Sequence, residues 1–188
     1  MNRIFILVGL LAVLLSPVIS SATFSVDAKA LTGLELPMPK DPDAKKYLGI
    51  SKSGDFKISE IPSELIIVEI FSMYCPYCQA DAPQVNELHR LIETNPSIKN
   101  KIRIIGIGTG NTPFEVEVFR KKYGVKFPLF PDEDFRVQKI SSEPIRTPVF
   151  IMLKKKPDKS FVVQDIHTGE SKEADAFLQR ILKGLRKD

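Results

Sequence analysis

The chain has 188 residues, with 27 Lys and Arg against 23 Asp and Glu, and a formal net charge of +4. That length suits one domain with a core large enough to fold without staples. The small basic excess forms no arginine-rich or aromatic-basic stripe, so nothing points to nucleic acid as a partner.

Residues 1–22 read as a secretory signal peptide. Met1, Asn2 and Arg3 make a short positive start, an apolar run follows over residues 4–15, and Ser20 and Ala22 put small residues at the cleavage site. The apolar run is shorter than the ~20 residues a spanning helix needs. A cleaved leader is therefore expected, with the mature chain in the periplasm or otherwise exported, and an uncleaved anchor is the alternative. No Cys follows the run, so a lipoprotein anchor is not indicated.

Residues 23–56 are expected to form an N-terminal extension that packs on the main domain, residues 57–188. Residues 33–39 read as an edge strand ended by prolines. Asp41 and Pro42 supply an N-cap and an N1 proline for a helical turn reaching Leu48. Gly54-Asp55 is a turn, and residues 56–58 alternate like a short strand. Leu65–Phe71 is apolar and β-branched, as a buried central strand should be, and a helix is predicted over residues 79–93. Strands follow over residues 102–107, 149–153 and 161–166, with a short extended piece at 127–130. Helices are predicted from Pro113 to Tyr123, over residues 134–140, and over residues 171–185. In the last of these, Ala174, Phe177, Leu178, Ile181 and Leu182 fall on one face. Early alternation of strand and helix implies parallel strands, and the late hairpin adds antiparallel ones. Gly106-Ile107-Gly108-Thr109-Gly110 lacks the spacing of a dinucleotide fingerprint and reads as a loop. His89 and His167 read as surface or capping residues.

Both cysteines lie between the central strand and its helix, in Met73-Tyr74-Cys75-Pro76-Tyr77-Cys78. Cys75 would sit at the helix N-terminus, where free N–H groups and the macrodipole favour a thiolate. Cys78, one turn on, is placed to close a disulfide with it. Such a pair suits thiol–disulfide exchange. As a structural clip it would close too small a loop to stabilise much. A structural zinc site needs four protein ligands, and the chain offers two Cys and two His. A c-type haem site would need His where Gln79 stands. Two thiolates with the Met73 thioether are soft enough for Cu(I), so a copper-binding chaperone is the alternative from another class. Glu69 is the one charged residue of the buried strand, where desolvation raises a carboxyl pKa.

This element order, with Cys-x-x-Cys after the first core strand and Thr147-Pro148 before the hairpin, resembles the thioredoxin superfamily over roughly residues 57–185. The chain looks most like the exported TlpA/ResA-like thiol–disulfide oxidoreductases, which carry an extra N-terminal piece and an inserted βα unit. Residues 23–56 and 101–125 match that plan. Cys-Pro-Tyr-Cys is also the glutaredoxin dipeptide, and residues 69–78 resemble the DsbA active-site segment, with Tyr74 where tryptophan is common. The resemblance implies an α/β thioredoxin fold: a mixed central sheet with helices on both faces. It implies Cys75 as nucleophile and Cys78 as resolving thiol, and no cofactor beyond their disulfide. It places Glu69 as an acid beneath Cys78 that accepts its proton, and Asp81 as a tuner of the thiol pKa. It implies a cis Thr147-Pro148 bond facing the thiols and presenting backbone to a partner strand. Tyr74, Pro76 and Tyr77 would frame the exposed sulfur and shape a docking surface, and no metal is called for. Partners would be protein thiols and disulfides. The TlpA/ResA-like plan implies reduction, fed by a membrane electron-transfer partner; the DsbA-like segment implies the opposite, oxidation of secreted proteins.

Overall fold

The computed structural model describes residues 24–185, and the expected signal peptide lies outside the described residues. In chain order the elements are α1 (Ala28–Thr32), β1 (Glu35–Leu36), α2 (Pro42–Leu48), β2 (Phe56–Lys57) and a 3-10 turn (Ile58–Glu60). Then come β3 (Leu65–Phe71), α3 (Pro76–Thr94), β4 (Ile102–Thr109), α4 (Pro113–Tyr123), β5 (Leu129–Asp132) and α5 (Arg136–Lys139). The hairpin β6 (Val149–Lys155) and β7 (Phe161–Thr168) and the helix α6 (Ala174–Leu185) complete the described chain.

All seven residues of β3 are buried, as expected of a strand covered on both faces. β4 runs parallel to β3, and β5 parallel to β4. β6 pairs antiparallel on the other side of β3, and β7 antiparallel to β6. The five-stranded order is β5-β4-β3-β6-β7, and β1 and β2 form a separate two-stranded ribbon. This is the mixed sheet of a thioredoxin fold.

Alternation along β3 divides the core in two. Leu65, Ile67 and Phe71 face α3, α4 and α6, among Val85, Leu88, Phe119 and Phe177. Ile66, Val68 and Ile70 face the other way, onto Leu31, Leu36, Leu48, Phe56 and Ile58 and onto Val137 of α5. The segment from α1 to the 3-10 turn is therefore the main cover of the second face. Each fully buried Leu or Ile contributes roughly 1.5–3 kcal/mol, so this cover is a large part of what holds the sheet.

Sequence periodicity did not reveal α1. Five residues are too few to display a helical repeat; the Asp27 carboxylate caps the helix by accepting from the Ala30 N–H at 2.9 Å, and Leu31 buries it. The strand expected over residues 56–58 is shorter, because Ile58 opens the 3-10 turn. α3 begins at Pro76 rather than residue 79 and continues through Pro83. The glycine run expected as a loop is mostly strand: β4 extends through Thr109. Its glycines make room for neighbours, since a Cβ on Gly108 would stand 2.9 Å from Val116 Cγ2 and 3.1 Å from Phe71 Cζ. His89 is not a surface or capping residue either. Its ring lies between Tyr47 and Phe127, with centroids 5.4 and 5.8 Å away. Burial, helped by the charge of Arg103, pushes its pKa down to about 4, so it packs as a neutral ring at pH 7.

Candidate active site

Parallel strands β3, β4 and β5 all end on one side of the sheet, and each leads toward a helix that starts there. The first of these junctions holds the cysteines. Cys75 is the N-cap of α3, its Sγ accepting from the Cys78 N–H at 3.4 Å, and Pro76 occupies the first helical turn. The fixed φ of proline suits that position, where no N–H is needed. Both cysteines are free thiols, Cys75 half-buried and Cys78 fully buried.

Their environments push the two thiols apart. Burial alone would raise the Cys75 pKa, but hydrogen bonds from Thr147, Cys78 and the Tyr77 N–H outweigh it and hold the thiol below its ordinary value. Burial drives the Cys78 pKa far up, and the neighbouring Cys75 adds to the rise. While protonated, Cys75 donates to the Thr147 carbonyl at 3.2 Å. The Thr147–Pro148 bond is cis, and the buried Pro148 leads into β6 beside β3.

Glu69 shares its face of β3 with Leu65, Ile67 and Phe71, the face covered by α3 and Cys78. It is 2 % exposed. Burial, and then the charge of Asp81, push its pKa up to about 8. Asp81 itself is buried on α3, and its carboxylate accepts from the Ser171 N–H and the Ser171 hydroxyl, both at 2.8 Å. Its charge is felt by Glu69. Tyr74, Pro76 and Tyr77 are exposed around Cys75, and the Tyr74 hydroxyl donates to Glu115 on α4.

Two supports of this loop escaped the sequence reading. Asn111, fully buried, accepts from the Met73 N–H at 2.8 Å through Oδ1 and donates to Ser72 Oγ at 3.4 Å. It is not the cap of α4, a role taken by Thr112 in a reciprocal pair with Glu115. Gln79 Nε2 donates to the Met73 carbonyl at 2.8 Å. An Asn just past a strand end was the available signal, and it fits a helix cap equally well. Among the described residues, no three His, Cys, Asp or Glu side chains are grouped to hold a metal ion.

The chain is 23 % identical over 136 residues to thiol-disulfide oxidoreductase ResA of Geobacillus kaustophilus, covering 72 % of this chain and 71 % of that one. It is 22 % identical over 122 residues to ResA of Geobacillus thermodenitrificans, 64 % of each chain. The fold matches a secreted Mycobacterium tuberculosis disulfide oxidoreductase homologous to E. coli DsbE, with a TM-score of 0.56 at 14 % identity over 84 % of this chain and 99 % of that one. It also matches a thiol-disulfide isomerase from Corynebacterium glutamicum, with a TM-score of 0.54 at 22 % identity over 84 % of this chain and 97 % of that one. The chain is thus similar in sequence to ResA thiol-disulfide oxidoreductases and has the thioredoxin fold. No family model matches it.

Within a ResA/TlpA-like frame, the asymmetry of the two thiols is the chemical content of the site. One sulfur is accessible and readily ionised; the other is shielded, with a raised-pKa carboxyl on the same side of the sheet. The arrangement can form a mixed disulfide at Cys75 and then resolve it from inside.

Proposed function

We propose that this thiol–disulfide oxidoreductase works outside the cytoplasm and reduces disulfides of partner proteins through Cys75 and Cys78. The observation that carries the reading is the opposed displacement of the two thiols, Cys75 downward and Cys78 upward. The Cys75 thiolate attacks one sulfur of a partner disulfide, forming a mixed disulfide and releasing the other sulfur as a thiolate. The upward push that Cys75 exerts on Cys78 then lapses, because Cys75 no longer carries a proton or a charge. Cys78 passes its proton to Glu69 in the fraction of molecules where that carboxyl is ionised, a fraction that grows as pH approaches about 8, attacks Cys75 Sγ and releases the partner's second thiolate. Two electrons leave the dithiol, the partner gains two thiols, and the Cys75–Cys78 disulfide remains. A base of pKa about 8 is better matched to a thiol than an ordinary carboxylate is. The Thr147 backbone, which lies beside Cys75, is the edge on which a partner strand would pair.

A strong oxidant owes its potential to a stabilised reduced form. Stabilising the Cys75 thiolate works toward the oxidant side, and Cys78, buried as a thiol in the reduced form, does not oppose it; the reducing direction is supported instead by the TlpA/ResA-like plan of the chain and its similarity to ResA. Continued turnover then needs an electron donor, and export would make that a membrane electron-transfer partner. The test is the reduction potential of the pair by equilibration with glutathione. A value near or below about −270 mV fits a reductant, and one near about −120 mV would make the chain a DsbA-like oxidant.

A further inference from the structure

The large hydrophobic side chains exposed among the described residues are Tyr74 (66 %), Tyr77 (64 %), Phe114 (76 %) and Phe135 (52 %). They are scattered in sequence yet gathered in space. Tyr74 and Tyr77 stand at the start of α3, Phe114 in the first turn of α4, and Phe135 caps α5. Those helices follow β3, β4 and β5, whose parallel pairing brings their C-terminal ends to one side of the sheet. Contacts join the pieces: Tyr74 bonds Glu115, the neighbour of Phe114, and the Phe135 ring lies over Gly110. Phe135 is held at φ 55°, a left-handed conformation unusual for a bulky residue, and its ring is still half in water.

Charge is segregated in the same place. Residues 72–79, 109–119 and 129–135 contain five acidic residues and no Lys or Arg, in a chain of net charge +4; Asp132 is buried against Arg136 and Glu117 is paired with Arg120 and Lys121, so the acidic groups the strip offers are Glu115, Glu133 and Asp134. Glu133 and Asp134 are exposed immediately before Phe135. Arg136, next in line, turns inward to Asp132 and the Glu35 carbonyl. Arg146 is exposed on the other flank of Cys75, before Thr147.

We propose that this strip, running from Cys75 across the ends of β4 and β5, docks a partner polypeptide segment that carries apolar side chains and Lys or Arg residues beside the cysteine attacked. The proposal rests on the redox reading of Cys75 and extends it by naming the partner's chemistry. Apolar area on the four rings supplies affinity, and the acidic groups among them select basic neighbours and speed encounter. Thr147 pairs with the partner's backbone on one flank of Cys75, and the aromatic strip receives its side chains on the other.

Two cystine peptides of equal length test this, one with Leu, Phe and Lys around its disulfide and one with Glu in place of Lys, alongside bis(2-hydroxyethyl) disulfide as a probe too small to reach the strip. The variants are Phe114→Ser with Phe135→Asn, since Asn accepts the left-handed conformation, and Glu133→Lys with Asp134→Lys. In the unchanged protein the Lys peptide should react faster than the Glu peptide, by a margin that shrinks as salt is added. The aromatic pair of substitutions should slow the Lys peptide about tenfold, the loss of a modest interface anchor, and change the small disulfide by less than about twofold. The Lys pair should reverse the peptide preference. Equal rates on both peptides, or equal losses on peptide and small disulfide, would overturn the docking strip. Failure of the unchanged dithiol to react even with the small disulfide would instead sink the redox reading beneath it.

Discussion

Asp81 on α3 and Ser171, just before α6, are joined by two hydrogen bonds of 2.8 Å, one to the Ser171 N–H and one to its hydroxyl. The pair is buried and links the helix that carries both cysteines to the last helix of the fold. It also fixes the negative charge that, after burial, raises Glu69.

Ser171→Ala should therefore leave one buried carboxylate oxygen without its donor. Stability should fall by about 1–3 kcal/mol, read as a lower urea midpoint. Asp81→Asn should lower the Glu69 pKa without returning it to the ordinary carboxyl range, because burial is the larger cause and remains. Carboxyl-carbon NMR titration of Glu69 in the two proteins measures the difference.

Glu69 gives stability a definite pH dependence. Its carboxyl titrates at about 8 in the fold against 4.5 as an ordinary side chain. Between those values the folded state holds the proton and the unfolded state has lost it, so stability declines as pH rises. The contribution is complete below about pH 4.5 and lost as pH rises through about 8, on the order of a few kcal/mol. Urea unfolding from pH 5 to pH 9 should show that slope, and Glu69→Gln should flatten it. The same variant should slow resolution of the mixed disulfide by about 10²-fold, a typical general-base effect.

The two thiols should differ sharply toward iodoacetamide. Cys75 should alkylate with a midpoint below that of an ordinary thiol, while Cys78 in a Cys75→Ser protein should resist at every pH at which the fold survives. Cys78→Ser should accumulate a stable mixed disulfide with a cystine substrate, visible by mass spectrometry, and Cys75→Ser should form none.

The Cys75 loop depends on Asn111. Asn111→Ala leaves the Met73 N–H without its acceptor and should cost about 1–3 kcal/mol. Gly108→Ala should act on the same support, since its new methyl would stand 3.1 Å from Asn111 Oδ1, and overpacking of this kind typically costs about 1–3 kcal/mol. In both variants, amide exchange at residues 73–75 should accelerate more than exchange in β3, which marks a local loosening of the loop.

By itself the sequence determined the features that depend on neighbours along the chain. The unbroken apolar run of β3, the Asp41-Pro42 opening of α2 and the one-sided α6 are all written in stretches of a few residues. Cap chemistry, proline geometry and periodicity act at that range. Glu69 could be singled out because one carboxylate among β-branched neighbours is conspicuous. Only the tertiary structure decided what meets across long separations. Ser171 reaches Asp81 across 90 positions, Asn111 reaches Met73 across 38, and Phe135 comes to rest over Gly110. His89 became a half-buried ring packed between Tyr47 and Phe127, and the N-terminal segment became the main cover of a sheet face. Such meetings follow from strand register and from which helix lies on which face, and no local pattern encodes either. The exposed aromatic strip is one more case, because three separate loops share an edge only once β3, β4 and β5 have paired in parallel.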